Sequence, residues 1–315
     1  MSSKSSPDSR NKKSKVVRFF DYFFVLRPTL MFPFWTMTLA GSGISRFQNP
    51  RSNVEWILLS VALSLLFGLI YLLNQLKDRN TDKLNKKLIL VSEGMLTDKE
   101  LWVESIMLFA ISAALLIIGG FKDLWLVISG IFMIWGVLYN FTPFALNWRP
   151  WGSVFAYVFG GWLFLRLGAQ IMGSEAHLIR ELPYMLAFSA SCIVTDIIDR
   201  KGDAAVSKKT FVVLFGEKTA AMVGSIGFIV VSILGFLNTD WVIAVPALLT
   251  APVMLTAAIK DDIKLTSQVN KFAIFGLSIA VGVNFPVYLV IIALYYPFAR
   301  WYHRQRFDME YPSFR

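Results

Sequence analysis

Long apolar runs recur along this chain from near its start to near its end, and that recurrence constrains the fold more than any other feature. Runs of about 20 apolar residues, enough to cross ~30 Å of hydrocarbon as helix, begin near Phe19, Val54, Leu101, Leu124, Trp151, Leu182, Ala220, Trp241 and Phe272. Hydrocarbon gives the backbone no partners, so such segments satisfy their N–H and C=O groups internally. Composition agrees: 56% of residues are hydrophobic and 17% charged, and the mean hydropathy is +0.56, which argues against a soluble enzyme. The expected fold is all-α, a polytopic membrane bundle of about nine transmembrane helices. Pro28 and Pro33 in the first run and Pro286 in the last predict kinks.

The layout reads as a basic, flexible N-terminal tail over residues 1–18, a single transmembrane domain over 19–299 and a polar C-terminal tail over 300–315. The first run is too long for a signal peptide and has no convincing small-residue cleavage site. The net charge of +10 comes from Lys and Arg in short segments between apolar runs. Topology and anionic headgroups account for these charges, and nucleic acid is not an expected partner. With the N-terminus inside, cytoplasmic loops collect Lys77, Arg79, Lys83, Lys86, Lys87, Arg149, Arg200, Lys201, Lys208, Lys209, Lys260, Lys264 and Lys271. The opposite loops carry chiefly Arg46, Arg51, Lys122 and Arg180. Arg300, Arg304, Arg306 and Arg315 then fall outside and break the rule, which means a miscounted last span or charges that arrive too late to set topology. Cys192 is the one cysteine and His177 and His303 the only histidines, which leaves little for a zinc cluster, a Cys/His dyad or a Ser/His/Asp triad.

The longer polar loops follow the second and sixth spans, on the inner side, and each begins with an acidic cluster. Clusters four spans apart are what two copies of one four-helix unit would produce, with a ninth helix added. In the first cluster Asn74, Asp78 and Asp82 are spaced by four and share one helix face. In the second, Asp196, Asp199 and Asp203 are spaced by three and four, again on one side. Any one of these residues alone would read as a solvated helix end. Two clusters of matching register on one side of the membrane read as a site, because acidic residues at membrane spans are costly. So many oxygen donors repel one another without a cation, and carboxylates suit Mg2+ shared with a substrate phosphate. A diphosphate leaving group, its charge neutralised by the metal, completes the reading. Lys208 and Lys209 follow the second cluster closely and are candidate phosphate ligands, whereas Lys77, Arg79, Arg200 and Lys201 read as topology charges.

The two motifs resemble the signatures of the UbiA family of intramembrane prenyltransferases, NxxxDxxxD after the second span and DxxDxxxD after the sixth. The similarity extends to Gly202, Lys209, Thr210 and Gly216, to Arg27-Pro28, to Ser92-Glu93-Gly94, and to Tyr139-Asn140 with Pro143. It implies two motifs facing each other across a cavity, capped on the cytoplasmic side and open laterally to lipid. Departures from the family pattern are Gln75, Lys86-Lys87, Asn147 and Ser207. Arg149 is the candidate substitute for the family lysine at Asn147, and acceptor choice is expected to lie with positions such as Lys87 and Asn147.

Arg27, in an apolar run where a bare cation costs roughly 2.5 to 3.5 kcal/mol, is expected to face the cavity and bind diphosphate or acceptor. Arg166, about fifteen residues and roughly 22 Å past the inner end of its span, is expected to snorkel outward. The family match favours a diphosphate contact for Tyr139, and aromatic faces could steady an allylic cation. The expected activity is magnesium-dependent transfer of a prenyl group from a prenyl diphosphate to a lipophilic or aromatic acceptor in the membrane. Two ions bridged by the diphosphate would be held by Asn74, Asp78, Asp82, Asp196, Asp199 and Asp203, with Arg27, Tyr139, Arg149, Lys208 and Lys209 binding substrate. A terpene cyclase or prenyl-diphosphate lyase on the same scaffold, or a transporter of phosphorylated lipids, are the alternatives.

Overall fold

The computed structural model describes residues 15–44, 51–85, 87–174 and 177–313. The expected tail as far as residue 14, together with Arg46, Lys86 and Arg315, lies outside the described residues. The chain opens with two short helices, α1 (Lys15–Phe19) and α2 (Asp21–Phe24), and a break before α3 (Pro28–Ile44). Pro28 starts α3 where its missing N–H costs nothing, and α3 is bent by 40° from the preceding segment. The expected kink is therefore a break ahead of Pro28, while Pro33 sits inside a continuous helix. The Gln75 amide bridges the break by donating to the Val25 carbonyl at 2.7 Å.

Helix α4 (Asn53–Leu84) begins with a capping box of Ser52 and Glu55. Its 32 residues span about 48 Å, so its last turns, which carry the first acidic cluster, extend well past the hydrocarbon. A turn, α5 (Ile89–Ser92), leads to α6 (Asp98–Ile118), capped in the same way by Thr97 and Glu100. The fourth run forms α7 (Trp125–Ile131), continued by a π-helical segment over Phe132–Leu138 in which the Tyr139 N–H reaches back to Ile134 at 2.9 Å. Then come α8 (Pro150–Ile171) and α9 (Leu178–Thr195), which ends in a 3-10 turn over Asp196–Asp199 and α10 (Arg200–Ala205). Helices α11 (Phe211–Phe215), α12 (Glu217–Leu237), α13 (Trp241–Ile259), α14 (Ile263–Gly282) and α15 (Pro286–Phe307) complete the chain.

Among the described residues there is no strand. Among the described residues six helices are long and apolar enough to cross a membrane, seven if the bent first pair is one span. The run expected from Phe272 is not one span: it holds the end of α14 and then α15, separated just before Pro286. Residues 300–307, expected in a polar tail, continue α15. Arg306 near its end is buried, with Nε and Nη2 at 3.0 and 2.9 Å from the Asp21 carboxylate, which also accepts from the Tyr302 hydroxyl at 2.7 Å. The additional helix reverses the chain once more, so the basic C-terminal segment returns to the end of the bundle that holds α2.

At the centre, α3 crosses α8 with backbones almost touching: a Cβ on Gly168 would stand 1.8 Å from the Thr38 carbonyl oxygen, and one on Gly41 2.0 Å from that of Leu165. Close approach through small residues is a general way to pack helices in lipid. Helix α8 also packs on α7 and α9, and α9, α12, α13 and α14 pack in succession until α14 meets α3. Apolar side chains such as Ile106, Ile118, Leu126 and Leu294 face outward, as lipid requires. Arg166 does not snorkel. It is buried, its Nη1 2.9 Å from Glu181 Oε1, while the other Glu181 oxygen accepts from Trp162 Nε1 at 2.8 Å. A partner on the next helix makes this burial tolerable.

Candidate active site

The long helix α4 and the irregular segment after α9 bring the two acidic clusters to one cavity of about 280 Å³. Asn74, Asp78 and Asp82 line one wall, and Asp196, Asp199 and Asp203 line another. The spacing argument holds on α4, where the three residues share a face. In the second cluster the helix tightens to a 3-10 turn over Asp196–Asp199 before α10 resumes, which still directs all three carboxylates inward.

A ladder of amides fixes the first wall. Asn74 Nδ2 donates to Asp78 Oδ2 at 3.3 Å and to Asn140 Oδ1 at 2.9 Å, and Asn147 Nδ2 donates to the same Asp78 oxygen at 3.3 Å. Asn140 is held in turn by the carbonyls of Trp135 and Gly136 in the π segment. Asn147 therefore serves Asp78 directly. On the other wall the Tyr157 hydroxyl donates to Asp196 Oδ2 at 2.7 Å and lies 3.2 Å from the Tyr139 hydroxyl.

Two lysines stand among the carboxylates. Lys208 Nζ is 3.4 Å from Asp78 and 3.5 Å from Asp203, bridging the walls, and Lys87 pairs with Asp199. Burial works against the charge of Lys208, but the carboxylates of Asp78, Asp203 and Asp196 outweigh it and raise its pKa. Lys87 differs: burial, joined by the Arg27 charge, pushes it down to about 8 despite the nearby acids. Its loop is closed by the Ser92 hydroxyl, which donates to the Lys87 carbonyl at 2.6 Å. Among the described residues no three His, Cys, Asp or Glu side chains form a ready-made metal cage. Two separated carboxylate walls instead suit a hard cation that takes one or two carboxylates from the protein and its other oxygens from phosphate and water.

The rest of the cavity is apolar, running between α3, α9, α12, α13 and α14 past Phe34, Trp135, Phe188, Phe228, Ile243, Pro246 and Leu277. Arg27 reaches the polar end from the break before α3, with φ of 54° and its guanidinium over the Tyr71 ring at 5.3 Å. It faces the cavity as expected, but from a helix break and not from within a span. Tyr139 and Lys208 also line the cavity. Lys209 and Arg149 do not: Lys209 is exposed two residues beyond the turn at Ser207 (φ 62°), and Arg149 turns to the Pro143 carbonyl at 3.0 Å. Thr210 instead caps α11, and Gly216 supplies the φ of 88° between α11 and α12. Sequence reasoning missed Tyr157 and Asn85. Tyr157 carries no local signal, whereas Asn85, three residues past Asp82 at the end of α4, could have been noticed as a polar helix cap.

The sequence model of the UbiA prenyltransferase family matches residues 29–279. No curated protein matches the chain. Among solved structures, a UbiA homolog from Archaeoglobus fulgidus bound to GPP and Mg2+ superposes with a TM-score of 0.66 at 19% identity, over 87% of this chain and 99% of that one. The apo UbiA homolog from Aeropyrum pernix K1 gives 0.62 at 17% identity, over 81% and 97%. A structure described as digeranylgeranylglyceryl phosphate synthase gives 0.57 at 15%, over 84% and 98%. At these identities the likeness is one of fold.

Proposed function

Since the chain belongs to the UbiA prenyltransferase family, we propose that it transfers a prenyl group from a prenyl diphosphate to a lipophilic or aromatic acceptor within the membrane, releasing diphosphate. The observation that carries this reading is the polarity of this cavity: carboxylates and lysines at one end, an apolar channel beyond. A molecule with a charged head and a hydrocarbon tail matches both. The Archaeoglobus relative bound to GPP and Mg2+ has the same fold.

Asn74, Asp78 and Asp82 on one wall and Asp196, Asp199 and Asp203 on the other would hold Mg2+. When bound, the metal supplies Lewis-acid neutralisation of the departing diphosphate. Lys208 and Arg27 point toward the same space and are placed to take phosphate oxygens by charge-assisted hydrogen bonds. The apolar channel would exclude water, which would otherwise capture the allylic cation, and Tyr71, Trp135 and Tyr139 line it as aromatic groups able to stabilise that cation. As the C1–O bond breaks, its electron pair leaves with diphosphate; the acceptor's carbon or oxygen then forms the new bond to C1 and loses a proton. We place the acidic end on the cytoplasmic side, because the basic loops and the returned C-terminal helix gather there.

The test is incubation of purified protein with magnesium, a series of prenyl diphosphates and a membrane extract, with mass spectrometry of new lipids. The proposal expects diphosphate release and prenylated acceptors. Products built from donor alone would identify a cyclase or lyase, and binding with no diphosphate released would remove the enzyme reading.

A further inference from the structure

One polar side chain at the site belongs to neither acidic motif and yet joins them. Asn85 caps the end of α4, three residues beyond Asp82. Its Oδ1 accepts the Gly202 backbone N–H at 2.9 Å, and its Nδ2 donates to the Asp199 carbonyl at 3.4 Å. Asp199 ends the 3-10 turn and Gly202 lies in the first turn of α10, so the two contacts hold the segment that carries Asp199 and Asp203 to the cavity. An amide carries an acceptor and a donor on one planar group, so a single asparagine can grip both an N–H and a C=O of the opposite segment. The fit leaves no room for a larger residue at 202: a Cβ there would lie 2.3 Å from Asn85 Nδ2 and 2.5 Å from its Cγ and Oδ1. Gly202 has ordinary helical geometry within α10, where alanine would otherwise be preferred. The demand for glycine therefore comes from Asn85 and not from the backbone.

We infer that Asn85 is the positioning residue that sets the second acidic motif at its working distance from the first, with Gly202 as the notch that receives it. The inference rests on the proposed use of both motifs to hold a metal and a diphosphate. Lys208 and Lys87 also bridge the walls, but through charges that a bound metal and diphosphate would draw away. The Asn85 tie is to backbone and survives that exchange. The spacing of the walls should then be set before any ligand arrives.

The experiment uses the full-length protein in detergent, with Mn2+ as probe in the presence of inorganic diphosphate, free Mn2+ being read by electron paramagnetic resonance. Asn85→Ala and Gly202→Ala each remove the same tie, the second by expelling the amide. Each should weaken Mn2+ binding about five- to tenfold, the order carried by one good and one long hydrogen bond. The double variant should bind no more weakly than the worse single one. In turnover, the magnesium needed for half-maximal rate should rise while kcat at saturation is largely kept, a split that general unfolding would not produce. Wild-type binding for both single variants, or losses that multiply in the double variant, overturn the inference. Failure of the wild-type protein to bind Mn2+ with diphosphate would overturn the proposed function as well. Size-exclusion profiles of the metal-free variants identify any that misfold, and the Asn85→Ala, Gly202→Ala pair then decides, since its two small residues fit together.

Discussion

Asp78 accepts from Asn74, Asn147 and Lys208, so an amide in its place would turn a donor toward three donors. Asp78→Asn should abolish magnesium-dependent turnover, by a factor of 100 or more, roughly the scale of losing one electrostatic contact to a developing charge, in protein that still inserts and folds. Asp199→Asn should do the same, and near-normal activity in both would remove the metal-holding role. Arg166 makes a contrasting prediction: Arg166→Ala leaves Glu181 buried without its cation, a loss of about 3 to 5 kcal/mol. It should appear as a lowered thermal midpoint in detergent, with the specific activity of the folded fraction unchanged. The acidic clusters were legible because their partners are their own neighbours at helical spacing. Arg166 was not, since its partner Glu181 lies on another helix, and depth alone suggested an escape to the surface. The same limit applies to Lys209 and Arg149, which share a segment with site residues but point elsewhere.

Helices were legible to the extent that they are uniformly apolar. Those from Asn53 to Leu84 and from Asp98 to Ile118 begin at capping boxes close to the expected starts at Val54 and Leu101, but the first continues well past a 20-residue span because its polar last turns carry the acidic cluster. The run near Phe272 misled because two helices, each with polar residues toward an end, share one apolar stretch divided only at Val283, Asn284 and Phe285. The crossing of α3 and α8 carries a prediction of its own. Gly168→Val would drive a branched side chain into the Thr38 carbonyl, separating the two helices that form the centre of the bundle. Overpacking of this kind costs about 1 to 3 kcal/mol, and a pair this close should sit at the upper end. The check is thermal unfolding beside Gly43→Val, a position with nothing within 4 Å, which should change little.

At the scale of the molecule, α2 and the last helix are joined by Asp21, Tyr302 and Arg306, all buried. Removal of residues 300–315 should therefore destabilise the whole bundle, by about 3 kcal/mol or more for an Asp21 carboxylate left without its partners. A thermal midpoint unchanged by that truncation would show the contact to be idle. Arg306→Ala should reproduce much of the loss without shortening the chain. The contact also makes the order of the helices partly arbitrary. Where the two termini of a fold lie side by side, a linker can join them and new ends can be opened elsewhere. A circular permutant that begins at α8 and finishes with α7 would keep every helix pairing described above, and would present the second acidic motif ahead of the first.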